Sequence, residues 1–101
     1  MAVELSVTPV CRHIVAKTQR IHMRNAYQLS LIAERHNETI VLGNLRTERD
    51  ANLNDGIALM LLEVKPDDNI EVKFYIEPND ATAHDRVKRI FEEIEDVLLT
   101  P

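Results

Sequence analysis

The chain has 101 residues, 45% of them hydrophobic and 29% charged, which is one domain's worth of sequence and too apolar to stay disordered. A domain of this size leaves roughly a third of its unfolded-chain surface exposed, so its core is thin and a deep substrate cavity is not expected. Twelve Lys and Arg against seventeen Asp and Glu give a net charge of −5, the wrong sign for general attraction to nucleic acid or an anionic membrane, and neither is expected as a partner.

Residues 1–9 read as an arm ahead of a domain spanning 10–101. Val3-Glu4-Leu5-Ser6-Val7 alternates, but Pro9 interrupts it, which predicts a short edge strand or an ordered arm. Val10 to Lys17, with the β-branched Ile14 and Val15, predicts a strand that runs into the polar loop Thr18-Gln19-Arg20. The single cysteine, Cys11, cannot form an internal disulfide. With no leader pattern in front of it, a reducing cytoplasm is expected. Cys11 itself reads as a small packed side chain rather than a nucleophile. No apolar run approaches the ~20 residues that span a bilayer, so no membrane insertion is expected.

From Met23 to about His36, Ala26, Leu29, Ile32 and Ala33 recur at spacings of three and four, the pattern of an amphipathic helix that begins just after His22. Glu38 to Leu42 predicts a strand, Gly43-Asn44 a turn, and Arg46 to Ala51 a polar, exposed partner strand. Asn54 and Asp55 can cap a helix whose inward face is Ile57, Met60, Leu61 and Val64 and which stops before Pro66. Pro66-Asp67-Asp68 is a turn. Ile70, Val72, Phe74 and Ile76 then alternate with Glu71, Lys73, Tyr75 and Glu77, as in a strand with one face in the core and one in water. In the last helix Val87, Ile90, Phe91, Ile94, Val97 and Leu98 form one stripe, and Thr82-x-x-Asp85 has the spacing of a capping box. The order βαββαβα with polar alternation on the strands predicts an α+β two-layer sandwich, a four-stranded antiparallel sheet covered on one face by three helices.

Charge is unevenly spread along this order. Residues 5–33 contain no acid but hold Arg12, Lys17, Arg20 and Arg24 together with His13 and His22, a local field for phosphate or an acidic surface. Solvated strand and loop residues account for it equally well.

Most catalytic constellations are missing. The histidines at 13, 22, 36 and 84 lack metal-ligand spacing, so no metal site is expected. Gly43 and Gly56 are the only glycines, too few for a phosphate-binding loop, and neither Ser6 nor Ser30 sits in a nucleophile elbow. No cofactor is implied. His22 stands apart because a loop precedes it, a helix follows it and Arg24 lies two residues on. A helix start offers unpartnered N–H groups and a partial positive charge, which favour an anion. A neutral imidazole there can carry a phosphoryl group, with Arg24 and the N–H groups of Met23 and Asn25 neutralising its oxygens. By pattern alone, a surface cap histidine beside an unrelated arginine is the simpler reading.

Ile21-His22-Met23-Arg24-Asn25-Ala26, after a strand and opening a helix, resembles the phosphorylation-site motif of HPr, the histidine-containing phosphocarrier family of the bacterial sugar phosphotransferase system. The family pattern is Leu or Ile, the phosphorylated His, a variable residue, Arg, Pro and Ala. Asp55-Gly56-Ile57-Ala58-Leu59-Met60-Leu61-Leu62-Glu63-Val64 is similar to the family's second helix, and the likeness runs over about residues 10 to 99. It implies an open-faced β-sandwich, His22 as phosphoacceptor through Nδ1, and Arg24 as the phosphoryl-binding arginine. It also implies an enzyme I-like donor, a downstream phosphotransferase-system acceptor or regulated protein, and a carrier rather than a turnover enzyme; a monomer is expected.

Three positions depart from the family pattern. Asn25 replaces Pro, which alters rigidity and hydrogen bonding at the helix start. Arg20 replaces a common Gly. Asp55 stands where the family has a regulatory Ser, so regulation by a kinase there is not expected; the carboxylate serves either as a helix cap or as a fixed charge. Arg20, Gly56, Ile57 and Met60 are the partner-docking candidates. These departures motivate a second reading, an HPr-like regulatory binding module with weakened or lost phosphotransfer. A third, a small-molecule-binding module, requires His22 buried in a pocket between helices.

Overall fold

The computed structural model describes residues 9–76 and 81–100. The expected strand at Val3 to Val7, and all of the 1–9 arm except Pro9, lie outside the described residues, as does Glu77. The elements are β1 (Val10–Val15), α1 (Met23–His36), β2 (Thr39–Asn44), β3 (Arg49–Asn52), α2 (Gly56–Met60), β4 (Asn69–Tyr75) and α3 (Ala83–Leu98). The sheet order is β1-β4-β2-β3, with every neighbouring pair antiparallel. The strand with the cleanest alternation, β4, lies inside the sheet, where Ile70, Val72 and Phe74 are fully buried.

The three helices cover one face. Ile14, Ile40 and Leu42 join the β4 residues from the sheet, and Leu29, Ile32, Val87, Ile90, Ile94 and Leu98 meet them from α1 and α3. Burial of these aliphatic side chains, each stabilising by about 1.5–3 kcal/mol, fixes which way every strand faces. The other face lies in water. There His13 of β1 stands opposite Glu71 of β4 with Nε2 3.6 Å from its carboxylate, and Glu71, then Asp50, raise the Lys73 ammonium above its ordinary range. Cys11, expected to be packed, is exposed on this face, because odd-numbered positions of β1 point away from the helices.

The predicted turn at Gly43-Asn44 is instead the buried end of β2, and the chain reverses over residues 45–48, with Glu48 at φ 58°. Both residues are needed in the strand. A Cβ on Gly43 would come 2.5 Å from Asp50 Oδ1. The buried Asn44 donates from Nδ2 to Leu62 C=O at 2.9 Å and to Asp68 at 3.0 Å, and its Oδ1 accepts Arg46 N–H at 3.0 Å. Asp68, 7% exposed, also accepts Arg46 Nε at 2.8 Å and Lys65 N–H at 2.8 Å. Burial pushes the Asp68 carboxyl up, but the bonds from Arg46, Lys65 and Asn44 together outweigh it and hold the group below its ordinary 3.8.

This polar cluster also explains the second helix. α2 is one turn long and is followed by Leu61 to Glu63, whose carbonyls accept Arg49, Asn44 with Thr47, and Arg46 respectively. The inward residues are Leu59, Leu62 and Val64. Ile57 and Leu61, expected inside, are 70% and 56% exposed, since a helix this short does not continue the 3.6-residue period assumed for it. The capping box at Thr82 does not form. Thr82 has helical angles and its hydroxyl accepts Arg86 Nη1 at 2.7 Å instead.

Candidate functional site

The loop between β1 and α1 is held from both sides. Ala16 N–H donates to Asp68 C=O at 2.9 Å, and Ala16 C=O accepts Asp67 N–H at 2.8 Å. Lys17 and Thr18 N–H donate to Leu98 C=O, at the end of α3, at 3.0 and 3.1 Å. Thr18 is buried and turns its hydroxyl onto Arg20 C=O at 3.2 Å. Ile21, 3% exposed, then anchors the chain immediately before the helix. A polar segment with no regular structure is thereby given a fixed exit point.

That exit places His22 as the N-cap of α1, at φ −84° and ψ 172°, with its side chain exposed. The first intrahelical bond runs from Ala26 N–H to His22 C=O at 2.9 Å. The N–H groups of Met23, Arg24 and Asn25 precede it and have no carbonyl within the helix to bond. The first turn contains no acidic residue. Asn25 Oδ1 accepts the His22 backbone N–H at 3.1 Å, a capping-box bond that fixes the backbone of His22, and the Asn25 backbone faces the His22 side chain in return.

Two open hollows meet at His22. One is lined by His22, Arg24, Asn25 and Gln28 together with Asp96, Val97 and Thr100 from the end of α3; the other by Thr18, Gln19, Arg20, His22, Asn25 and Thr100. His22 and Arg24 thus share a wall, and an enclosed pocket around a buried His22, required by the small-molecule reading, is not what surrounds it. Asp96 and Thr100 were not foreseen; they are over seventy positions from His22 and only the packing of α3 brings them there.

An apolar surface adjoins the site. Met23, Ala26, Tyr27, Ile57 and Met60 line an open hollow with Asp55 and Gly56. Met23 is 74% and Tyr27 63% exposed. The contribution of Tyr27 was missed, although Met23 and Tyr27 lie four apart on α1 and off its buried stripe, which is a legible sign. Of the docking candidates, Gly56, Ile57 and Met60 share this hollow, whereas Arg20 lines a different one, next to His22. Asp55 is the N-cap of α2 and accepts Ala58 N–H at 3.1 Å. Among the described residues no His, Cys, Asp and Glu side chains gather as metal ligands, and no helix is long and apolar enough to cross a membrane.

The chain is similar to known proteins in sequence and in fold. The family model described as the PTS HPr component phosphorylation site matches residues 11–93. Among solved structures, HPr-C-His from Thermoanaerobacter tengcongensis superposes with a TM-score of 0.65 at 16% identity, over 88% of this chain and 94% of its own. A histidine-containing phosphocarrier protein from a mycoplasma gives a TM-score of 0.70 at 17% identity, over 91% of this chain and 100% of its own. Phosphocarrier protein HPr from Bacillus anthracis gives 0.64 at 13% identity, over 85% and 96%. At these identities the structures establish the likeness of fold. No curated protein sequence matches the chain.

Proposed function

The chain belongs to the PTS HPr family, and from that premise we propose that it carries a phosphoryl group on His22. The observation that supports this most is the exposed N-cap histidine sharing a hollow with Arg24. In the forward step the Nδ1 lone pair of neutral His22 attacks the phosphorus of a phosphohistidine on an enzyme I-like donor. The Nδ1–P bond forms as the donor's N–P bond breaks, and that electron pair returns to the donor ring. His22 sheds the proton from Nε2 and the donor imidazole takes one up, so protons balance. Transfer to a downstream phosphotransferase-system acceptor, in the cytoplasm, is the same step reversed.

The chain supplies electrostatics and access. The guanidinium of Arg24 and the N–H groups of Met23 and Asn25 stabilise charge on the phosphoryl oxygens, and the helix start adds its partial positive charge. No pocket is needed, because a partner docked on the apolar surface at Ile57 and Met60 excludes water from the shared phosphoryl. Asp55 has no hydroxyl and is occupied as a helix cap, which favours a carrier without kinase control at that position. Incubation with phosphoenolpyruvate and the cognate enzyme I-like protein tests the reading. Wild-type protein should gain one acid-labile phosphate and H22Q none; absence of labelling by that donor would leave the regulatory binding module as the function.

A further inference from the structure

The loop residue that most increases the positive charge around His22 is Arg20. It stands two residues before His22, as Arg24 stands two after, and each shares one of the adjoining hollows with the ring. Its backbone is fixed, because its carbonyl accepts the buried Thr18 hydroxyl and the next residue, Ile21, is anchored in the core. Its side chain remains exposed.

The two arginines also differ from half of the twelve Lys and Arg of this protein in having their charge uncommitted. Lys17, Arg35, Arg46, Arg49, Lys73 and Arg86 each lie against a carboxylate. Among the described residues neither Arg20 nor Arg24 makes an ion pair or side-chain hydrogen bond. Asp96 lines the hollow on the Arg24 side, while no acid lines the one that holds Arg20. A dianion on His22 would therefore have an arginine lining each of the two adjoining hollows, and the hollow that Arg20 lines contains no carboxylate.

We propose that Arg20 is a second phosphoryl-binding cation, so that phospho-His22 is held between two guanidinium groups. This rests on His22 being the phosphoacceptor. A cation close to the phosphoryl favours its dianion over its monoanion, which lowers the second ionisation of the group and makes the phosphoprotein a longer-lived, less energetic donor. Arg20 acts on the carried group itself, without a partner present.

The test therefore uses a partner-free donor. Phosphoramidate transfers its phosphoryl to an imidazole nitrogen as its own P–N bond breaks, the ring proton leaving with the nitrogen as ammonium. Wild type, R20G, R20K, R24A and H22Q are treated alike, and the phosphohistidine resonance is followed by phosphorus NMR as a function of pH. Relative to wild type, R20G should raise the second ionisation of the phosphoryl by about half a unit, R20K should keep most of the wild-type value, and R24A should raise it at least as far as R20G. An R20G titration that superposes on wild type, in a protein whose thermal midpoint is unchanged, overturns the proposal while leaving His22 as phosphoacceptor. Slowed transfer from a protein donor with that unchanged titration likewise overturns it and makes Arg20 a docking residue. Failure to find any phosphate that wild type gains and H22Q lacks overturns both readings.

Discussion

Two polar regions of this molecule handle charge in opposite ways. Around Asp68 every polar partner is used: the carboxylate takes Arg46, Lys65 N–H and Asn44, while Asn44 and Arg46 in turn hold the carbonyls of Leu62 and Glu63. Around His22, Arg20 and Arg24 have no charge partner among the described residues, and the first turn of α1 has no acid. The first region is centred on the buried Asn44 and Asp68 and fixes where three chain segments lie. The second is exposed, and the charges of Arg20 and Arg24 there are not neutralised by a carboxylate of the described residues. Saturated charge here makes structure, and unsaturated charge marks the proposed site.

The largest effect expected from breaking this contrast is at His22. H22A should abolish phosphate incorporation from phosphoenolpyruvate and the cognate donor, and leave denaturant stability within about 0.5 kcal/mol of wild type, since the side chain is exposed. Asp68 should behave in the reverse sense. D68A removes a buried acceptor and leaves the Asn44 amide and Lys65 N–H short of a partner, so unfolding in urea should show a loss of about 2–4 kcal/mol. Label per folded molecule should be retained.

The same carboxylate predicts a pH dependence. Its folded-state value lies below the ordinary 3.8, so its contribution is complete above the unfolded value and is lost as pH falls from about 4 through the folded value. Stability measured from pH 6 downward should decline on that limb in wild type and decline less in D68N. A smaller effect is expected on the apolar surface. I57S removes a side chain that is 70% exposed, and should slow phosphorylation by the protein donor about fivefold, a single docking contact of about 1 kcal/mol, with phosphoramidate labelling unchanged. The smallest concerns Gly56, whose added Cβ would lie 3.7 Å from Ala26 Cβ, ordinary contact. G56A should raise stability by about 0.4–1 kcal/mol through a less flexible unfolded chain and better helix propensity, measurable as a small rise in thermal midpoint.

Much of the fold was legible because its long elements carry unbroken periods. Ala26, Leu29, Ile32 and Ala33 define α1, Ile70, Val72 and Phe74 define β4, and Val87, Ile90, Phe91, Ile94, Val97 and Leu98 define α3, and all of these residues are core except the half-buried Phe91 and Val97 at the edges of the α3 stripe. Short segments were read less well. Gly43-Asn44 carries a turn signature, yet Asn44 is drawn into the strand by partners at Leu62 and Asp68, eighteen and twenty-four residues away. Ile57 and Leu61 fit an inward stripe, yet the carbonyls of Leu61 to Glu63 are taken by side chains of the β2–β3 turn and β3, and the helix stops before the stripe matters. Thr82 fits a capping box, yet Arg86 takes its hydroxyl.

For the candidate site, the sequence alone determined the unit proposed to carry the phosphoryl, because His22, Arg24, Asn25 and the start of α1 are neighbours along the chain and a helix N-terminus is a local electrostatic object. Tertiary structure decided what surrounds it. The end of α3 supplies Asp96 and Thr100, α2 supplies the exposed Ile57, and the loop anchored on Leu98 puts Arg20 in a hollow that His22 also lines. None of these follows from local preference. Each is set by the packing of helices on a sheet, where side chains distant in sequence share one surface only after the core beneath them has closed.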